Sequence, residues 1–434
     1  MPDQRVEHLK WLLEITSIPT AAGKESRVVE WIRAWVAARP GIEMAEDAAG
    51  NAVLKQSSRR RAQSSKQDED IRPPLFFTAH LDHPAFVVER IIGPGTVMMS
   101  FRGGVLDAYF EAKPRVVIHA GGGGVVRGVI VETSKGEHFR ECVVELEEDR
   151  FTAEAQRAQR SEEDENELKM RAAHREDSDE ECEDSCAVEV GDVGVWDLPQ
   201  AYIDGEMART PACDDLAALA AALSAFDVLR DVDGAEHVRL LFTRAEEIGF
   251  VGAIAACKLG TMPMNSRVIA LENSRSFPLD SPIGAGPIVR VGDRISTFSP
   301  SLTAAVAKTA ESIAEARKKS AAEGGLGGGE YKWQRKLMPG GACEASAYQS
   351  YGYEATCVCL PLGNYHNMAD LERVQAGDAE AMRNARIEPE YIAVSDYHAL
   401  VDLLVACGVS LEGAEPIRAR MEKLHERLKF VLDD

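Results

Sequence analysis

Three features that define large classes of proteins are missing from this 434-residue sequence. No apolar run approaches the length of a membrane-spanning helix, and the first residues lack the basic and apolar parts of a secretion signal. The nine cysteines include no C-x-x-C pair and follow no disulfide spacing. Basic residues are scarce, with 49 Lys and Arg against 71 Asp and Glu, so the formal net charge is -22. These absences predict a cytoplasmic protein with reduced thiols that binds neither membranes nor nucleic acid.

Helical and strand-like apolar spacing alternate along most of the chain. The pattern in residues 1–84 and 204–434 predicts an α/β fold, with a mixed, largely parallel sheet and helices on both faces. Between them, residues 85–203 contain short strand-like runs separated by glycines and little helical spacing. This change of pattern predicts an inserted domain that forms a small β-barrel.

Two polar segments interrupt these patterns. Residues 57–74 are polar and aperiodic, which predicts a flexible loop between two strands. The predicted acidic loop at about 150–187 includes residues 161–186, with twelve acidic and three basic residues and few large apolar groups. Such a composition cannot bury enough surface to offset chain entropy, so we expect this segment to be disordered.

Polar side chains end or follow several of the apolar runs that we assign to strands. In a parallel sheet the carboxyl ends of the strands share one edge, where ligands bind. Two imidazoles and several carboxylates gathered at one edge would repel one another without a cation. Nitrogen and oxygen ligands without thiolate favour one or two zinc ions, with cobalt or manganese as alternatives. The residues concerned are His80, Asp82, Asp214, Glu246, Glu247, Glu272 and His366.

The adjacent glutamates Glu246 and Glu247 suggest two different chemical roles. One of them can ligate a metal while its neighbour takes a proton from an activated water. Asp214 is the best candidate for a carboxylate that bridges two metals, which in such sites lie about 3.5–4 Å apart. The carboxylate of Asp82 is suitably spaced to accept the far N–H of His80 and fix its orientation.

The order of these residues resembles that of the co-catalytic zinc exopeptidases of clan MH. The sequence has His-x-Asp, then Asp-Asp, Glu-Glu, a single acidic residue and finally histidine. The resemblance implies that one metal is held by His80, Asp214 and Glu272, and the other by Asp214, Glu247 and His366. It also implies that Glu246 is the general base and that Asp82 orients His80.

The place of the insertion narrows this resemblance. About 130 residues separate His80 from Asp214, as in the tetrahedral aminopeptidase branch (peptidase family forty-two, with glutamyl and deblocking aminopeptidases). The segments PACDDLAALAAAL and GGACEASAYQSYGYEATCVCLPLGNYH are similar to that family in order and content. The resemblance implies a zinc exopeptidase fold, peptide substrates, assembly into a homo-oligomer and removal of N-terminal residues by a water bound between two zinc ions.

Two other functions remain open at this stage. Glu272 stands where this branch usually has aspartate, and glutamate is found there in the aminoacylase-like branch. A deacylase of N-acyl amino acids or small amides is therefore the first alternative. A non-catalytic scaffold is the second, although the complete ligand set argues against it. For catalysis, Tyr365 and His83 are candidate donors to the oxyanion.

Overall fold

The computed structural model describes residues 2–57, 72–121, 123–147, 188–323, 329–411 and 417–432. The loop predicted at 57–74 lies mostly outside these residues, and the acidic loop at 150–187 lies wholly outside them. The helices are α1 (Pro2–Ile15), α2 (Ser26–Ala37), α3 (Asp107–Glu111), α4 (Leu216–Leu229), α5 (Val251–Leu259), α6 (Pro300–Ala322), α7 (Glu344–Ser350), α8 (Leu371–Gln375), α9 (Ala379–Arg383), α10 (Val394–Val409) and α11 (Ile417–Leu428), with short 3-10 helices at Tyr365–Asn367 and Lys429–Leu432.

The strands form one large sheet, one small sheet and a closed barrel. They are β1 (Ile42–Glu46), β2 (Ala52–Gln56), β3 (Leu75–His80), β4 (Ala85–Gly93), β5 (Thr96–Arg102), β6 (Arg115–His119), β7 (Val125–Lys135), β8 (Arg140–Leu146), β9 (Val193–Trp196), β10 (Tyr202–Asp204), β11 (Met207–Thr210), β12 (Val238–Thr243), β13 (Arg267–Arg275), β14 (Ile288–Gly292), β15 (Gln334–Leu337), β16 (Glu354–Leu362) and β17 (Glu390–Ala393).

The large sheet has eight strands in the order β1-β2-β12-β3-β13-β16-β14-β15. Its four central strands, β12, β3, β13 and β16, are parallel to one another. Antiparallel pairs join this centre to β2 and β14. The predicted mixed, largely parallel sheet is confirmed, and the four parallel strands end at a single edge.

Helices cover both faces of this sheet, as the sequence predicted. On one face, α1, α2, α4, α6 and α10 share a single apolar core with the strands. Helix α4 is apolar on all sides because it lies inside this core, where nearly all of its residues are buried. Helices α5 and α7 pack on the opposite face. In the described part of the chain, no helix is long and apolar enough to cross a membrane.

The inserted segment forms the predicted small barrel. Strands β4-β5-β8-β7-β6-β9 close on themselves, and the interior contains a cluster of aromatic rings. The Phe86 ring lies 4.8 Å from that of Phe101 and 4.7 Å from that of Trp196. The next strands, β10 and β11, form a small sheet in which β11 pairs with β17, and neither belongs to the barrel. The chain therefore returns to the main domain soon after β9.

Gly252 lies where α5 packs against the end of β12, and this contact leaves no room for a side chain. A Cβ at Gly252 would lie 2.4 Å from the main-chain N and O of Arg244 and 2.6 Å from Oδ1 of Asn51. We expect Gly252→Ala to displace α5 and to lower the free energy of unfolding by about 1–3 kcal/mol. Urea denaturation beside Gly93→Ala, where a Cβ would meet nothing within 4 Å, measures the effect. Equal stability of the two variants would contradict this packing.

Candidate metal centre

The predicted site residues converge at the carboxyl edge of the four parallel strands. His80 is the last residue of β3, and Glu272 lies within β13, three residues before that strand ends. The other segments are the turn after β12, the residues before α4 and the 3-10 helix after β16. The structure brings together all seven residues: His80, Asp82, Asp214, Glu246, Glu247, Glu272 and His366.

Three of these side chains form one possible ligand set around His80. Its Nε2 lies 3.5 Å from Oδ1 of Asp214 and 4.0 Å from Oε1 of Glu272. All three side chains are buried, and their ligand atoms lie within 4.8 Å of one another. This arrangement could hold one metal ion.

A second set lies around His366 and shares Asp214 with the first. Nε2 of His366 is 3.5 Å from Oδ2 of Asp214 and 3.4 Å from Oε2 of Glu247. The two carboxylate oxygens of Asp214 therefore face different imidazoles, as a bridging ligand requires. The peptide bond between Asp214 and Asp215 is cis.

The donor atoms fit a metal centre because they are buried without partners. Buried polar atoms are normally hydrogen-bonded, and a cation would satisfy several of these at once. Imidazole nitrogen and carboxylate oxygen suit zinc, and cobalt and manganese accept the same ligands. The atoms without hydrogen bonds include His80 Nε2, Asp214 Oδ1, Glu247 Oε1, Glu272 Oε2 and His366 Nε2.

Burial and neighbouring charges shift the pKa values of the carboxyl groups in this cluster. Burial raises the pKa of Glu246 and of Glu247 well above the ordinary range, and nearby carboxylates add to the effect. Burial likewise raises the pKa of Glu272 to about 7. For Asp214 burial acts in the same direction, but the neighbouring imidazoles of His366 and His80 outweigh it and the pKa is lowered. Divalent cations would relieve this repulsion and favour the ionised carboxylates.

Both imidazoles are oriented by main-chain carbonyl groups. Nδ1 of His80 lies 3.0 Å from the carbonyl oxygen of Asp82, and Nδ1 of His366 lies 2.6 Å from that of Gly104. These contacts leave Nε2 of each ring directed into the cluster. The carboxylate of Asp82, which we expected to make this contact with His80, is farther away, at 3.5 Å.

The Asp82 carboxylate holds the two glutamates instead. Its Oδ1 accepts a hydrogen bond from the main-chain N–H of Glu246 at 2.9 Å, and its Oδ2 accepts one from Glu247 at 3.1 Å. Glu25 supports the same turn by accepting the N–H of Ala245 at 3.0 Å. Ala245 has a positive φ of 53°, so the turn needs such support.

His83 has both ring nitrogens engaged, which removes it as a donor to an oxyanion. Nδ1 lies 2.6 Å from the carbonyl oxygen of Asp214, and Nε2 lies 3.0 Å from Oδ1 of Asn367. The Tyr365 ring stacks on His366, with ring centroids 3.8 Å apart. Tyr365 is therefore the remaining candidate of the two that the sequence suggested.

Several supporting residues were missed by the sequence analysis. The side chains of Glu25, Asn367 and Glu390 and the carbonyl of Gly104 contact segments that carry site residues. Each is distant in sequence from at least one segment that it supports. No local pattern in the sequence marks such contacts, because they depend on how the chain folds.

Glu344 gives a pH-dependent contribution to stability that can be isolated. It is 1% exposed, accepts a hydrogen bond from Tyr348 at 3.2 Å, and burial raises its pKa to about 7. Since the unfolded carboxyl ionises near its ordinary pKa while the folded one keeps its proton to about pH 7, the wild type loses stability over this interval. We expect Glu344→Gln to lack this loss of about 1–3 kcal/mol. Urea unfolding of chelator-treated protein from pH 4.5 to 7.5 measures it, and parallel pH profiles would contradict it.

Solved structures of aminopeptidases share this fold. An aminopeptidase from the archaeon Desulfurococcus kamchatkensis is 19% identical, with a TM-score of 0.62, over 94% of this chain and 96% of that one. The TET1 peptidase of Pyrococcus horikoshii, which can assemble into a tetrahedron or a large octahedral shell, is 20% identical, with a TM-score of 0.59, over 93% and 99%. A TET aminopeptidase from a marine sediment archaeon is 16% identical, with a TM-score of 0.63, over 94% and 97%.

Sequence comparison identifies the family directly. No curated protein sequence matches the chain significantly. The family model of the M42 glutamyl aminopeptidases, however, matches residues 63–384, which is most of the chain. The protein therefore belongs to the M42 glutamyl aminopeptidase family and is a hydrolase that acts on peptides.

Proposed function

We propose that the protein is a di-metal aminopeptidase that removes N-terminal residues from peptides. The observation that carries this proposal is the pair of ligand sets that share Asp214, with a further carboxylate, Glu246, beside them. His80, Asp214 and Glu272 would hold one ion. Asp214, Glu247 and His366 would hold the other. Zinc fits these ligands, and cobalt or manganese are the alternatives.

The role of Glu246 is that of general base and then general acid. Two divalent cations, when bound, would polarise the scissile carbonyl and lower the pKa of the attacking water. The carboxylate of Glu246, 3.8 Å from Nε2 of His80, would accept the proton of this water and return it to the leaving amine. Asp82 fixes Glu246 through its main-chain N–H, which keeps the base in one place.

The charge of the site also favours peptides with free N-termini. Carboxylates converge there from several segments, and a protonated amine is the complementary end of a peptide. An acetylated N-terminus has no positive charge to offer. Tyr365, which stacks on His366, would donate a hydrogen bond to the oxyanion.

Hydrolysis of a small peptide panel tests this function. We expect zinc- or cobalt-loaded protein to cleave peptides with free N-termini and to leave acetylated ones intact. Glu246→Gln should lower kcat by about 100-fold or more, because no general base remains. Glu43→Gln, which changes an exposed glutamate on β1, is the matched control and should keep full activity.

The same panel distinguishes the alternatives. Cleavage confined to acetylated substrates would make the protein a deacylase, the function that Glu272 favours. Protein that binds metal and cleaves neither set would be a scaffold. Full activity in Glu246→Gln would remove Glu246 from the mechanism while leaving the peptidase function intact.

We further propose that Arg275 selects a carboxylate on the substrate. It lines a cavity of about 350 Å³ together with Asn364 and Tyr365, the residues just before His366. Its guanidinium lies over the Phe277 ring at 4.9 Å and contacts Gln375. Among the described residues no carboxylate lies within ion-pair distance of it, although Glu372 in the same cavity attracts it at longer range. An N-terminal glutamate or aspartate side chain would supply one, in agreement with the name of the family.

Replacement of Arg275 checks this preference. We expect Arg275→Met to lower kcat/KM about 10- to 100-fold for peptides that begin with Glu, and to change Leu peptides little. Arg373→Met is the matched control, because Arg373 lines the same cavity but is paired with Asp378 and Glu380. Each peptide is also made with an amidated C-terminus. A loss that depends on this terminus would assign Arg275 to the peptide's terminal carboxylate, and equal losses for Glu and Leu peptides would contradict selection.

We also infer that the protein forms a homo-oligomer. The TET1 peptidase of Pyrococcus horikoshii is described as assembling into a tetrahedron or a large octahedral shell, and a related structure as a dodecamer. Their likeness to this chain extends over nine-tenths of its length. A related assembly is therefore the arrangement that we favour for this chain.

A further inference from the structure

Glu390 is a buried carboxylate that joins two segments of the candidate centre. It is the first residue of β17 and is 0% exposed. Its Oε2 accepts hydrogen bonds from the main-chain N–H groups of Cys213 at 2.6 Å and Asp214 at 3.1 Å. Its Oε1 accepts one from the N–H of His366 at 2.7 Å. The side chain of Glu390 thus binds the backbone of Asp214, which both ligand sets share, and the backbone of His366.

These bonds act on the backbone from which both side chains project. His366 has a positive φ of 55°, a conformation that surrounding contacts must enforce in a non-glycine residue. Burial of a carboxylate is costly unless its oxygens are hydrogen-bonded, and the three N–H groups offset that cost. The arrangement therefore orders the two segments relative to each other, in addition to satisfying Glu390.

Other contacts reinforce the same junction. The side-chain amide of Asn367 donates to the carbonyl of Pro211 at 3.0 Å. His83 lies between the carbonyl of Asp214 and Oδ1 of Asn367. The segment that carries Asp214 is therefore held to the segment that carries His366 at several points. Glu390 supplies the only carboxyl side chain among these contacts.

The chain makes an excursion before it reaches Glu390. It leaves the site after Asn367, forms α8 and α9, and returns at β17. The excursion packs on α3 of the inserted domain, where the hydroxyl of Tyr109 donates to the carbonyl of Ala369 at 2.6 Å. Glu390 thus stands 24 residues beyond His366 in sequence, although it is hydrogen-bonded to it.

We propose that Glu390 is a positioning residue that fixes Asp214 relative to His366 and thereby sets the affinity of the metal position formed by Asp214, Glu247 and His366. This inference rests on the proposed metal centre. It assigns to Glu390 a role through the ligands and not through contact with substrate. The position formed by His80, Asp214 and Glu272 depends on Glu390 less. There the carboxylate of Asp215 accepts the main-chain N–H of His80, and the carbonyl of Asp82 contacts its ring.

The variant Glu390→Gln tests the proposal with little change in volume. Its amide nitrogen cannot accept an N–H bond, so at least one of the three contacts is lost. We expect affinity for the second zinc ion to fall about 10- to 100-fold, the usual effect of losing an outer contact to a ligand. Affinity for the first ion should change less than threefold. Zinc titration by calorimetry and the absorption spectrum of the cobalt-loaded protein measure both sites without using activity.

Asp396→Asn is the matched control. Asp396 is a buried carboxylate, 1% exposed, that accepts main-chain bonds from Gly284 at 2.7 Å and Gly286 at 2.8 Å. It contacts no residue of the centre. We therefore expect this variant to lose stability on the same scale as Glu390→Gln but to keep both zinc affinities. If Glu390→Gln does not fold, Asn367→Ala, which breaks only neighbouring contacts, should give a smaller loss at the same metal position.

The outcomes separate this proposal from the proposed function. A wild-type protein that binds no zinc contradicts the metal centre itself. Two unchanged zinc affinities in Glu390→Gln, beside a wild type that binds two ions, overturn the role of Glu390 alone. Equal losses in Glu390→Gln and Asp396→Asn would reduce the effect to general stability and would also overturn it.

Discussion

The candidate centre depends on buried carboxylates that accept hydrogen bonds from main-chain N–H groups. Asp82 binds the N–H groups of Glu246 and Glu247, and Glu390 binds those of Asp214 and His366. An acidic side chain used in this way needs no cation to be satisfied. The site therefore has two kinds of carboxylate, one that holds the backbone and one whose oxygens remain free for metal.

This division explains how so many acidic groups can be packed together. The free oxygens face a common space. Burial raises the pKa of Glu246 and of Glu272, and repulsion from neighbouring carboxylates raises it further. The supporting carboxylates are hydrogen-bonded to main-chain N–H groups in turns. Metal ions would remove the repulsion among the free oxygens without disturbing the supporting carboxylates.

The fold, and the convergence of the candidate ligands at one sheet edge, could be predicted from the sequence because both leave local patterns. Polar residues such as His80 interrupt apolar strands, and parallel strands share one edge. The supporting contacts left no such pattern. Gly104 contributes only a carbonyl, and Glu390 is an ordinary glutamate in the sequence IEPEYIAV. The contact between Asp82 and His80 was predicted, but through the carboxylate where the structure has the carbonyl. The domain limits and the two polar loops stay predictions.

The contact between His366 and the carbonyl of Gly104 joins residues 262 positions apart. It links the last predicted ligand to the segment between β5 and α3, which belongs to the inserted part of the chain. During synthesis the ribosome releases Gly104 long before His366 and Glu390, so a partly made chain contains most of the candidate ligands but not their final arrangement. The candidate centre therefore cannot take the arrangement described here until Glu390 has been synthesised, although its first predicted ligand, His80, is made 310 residues earlier.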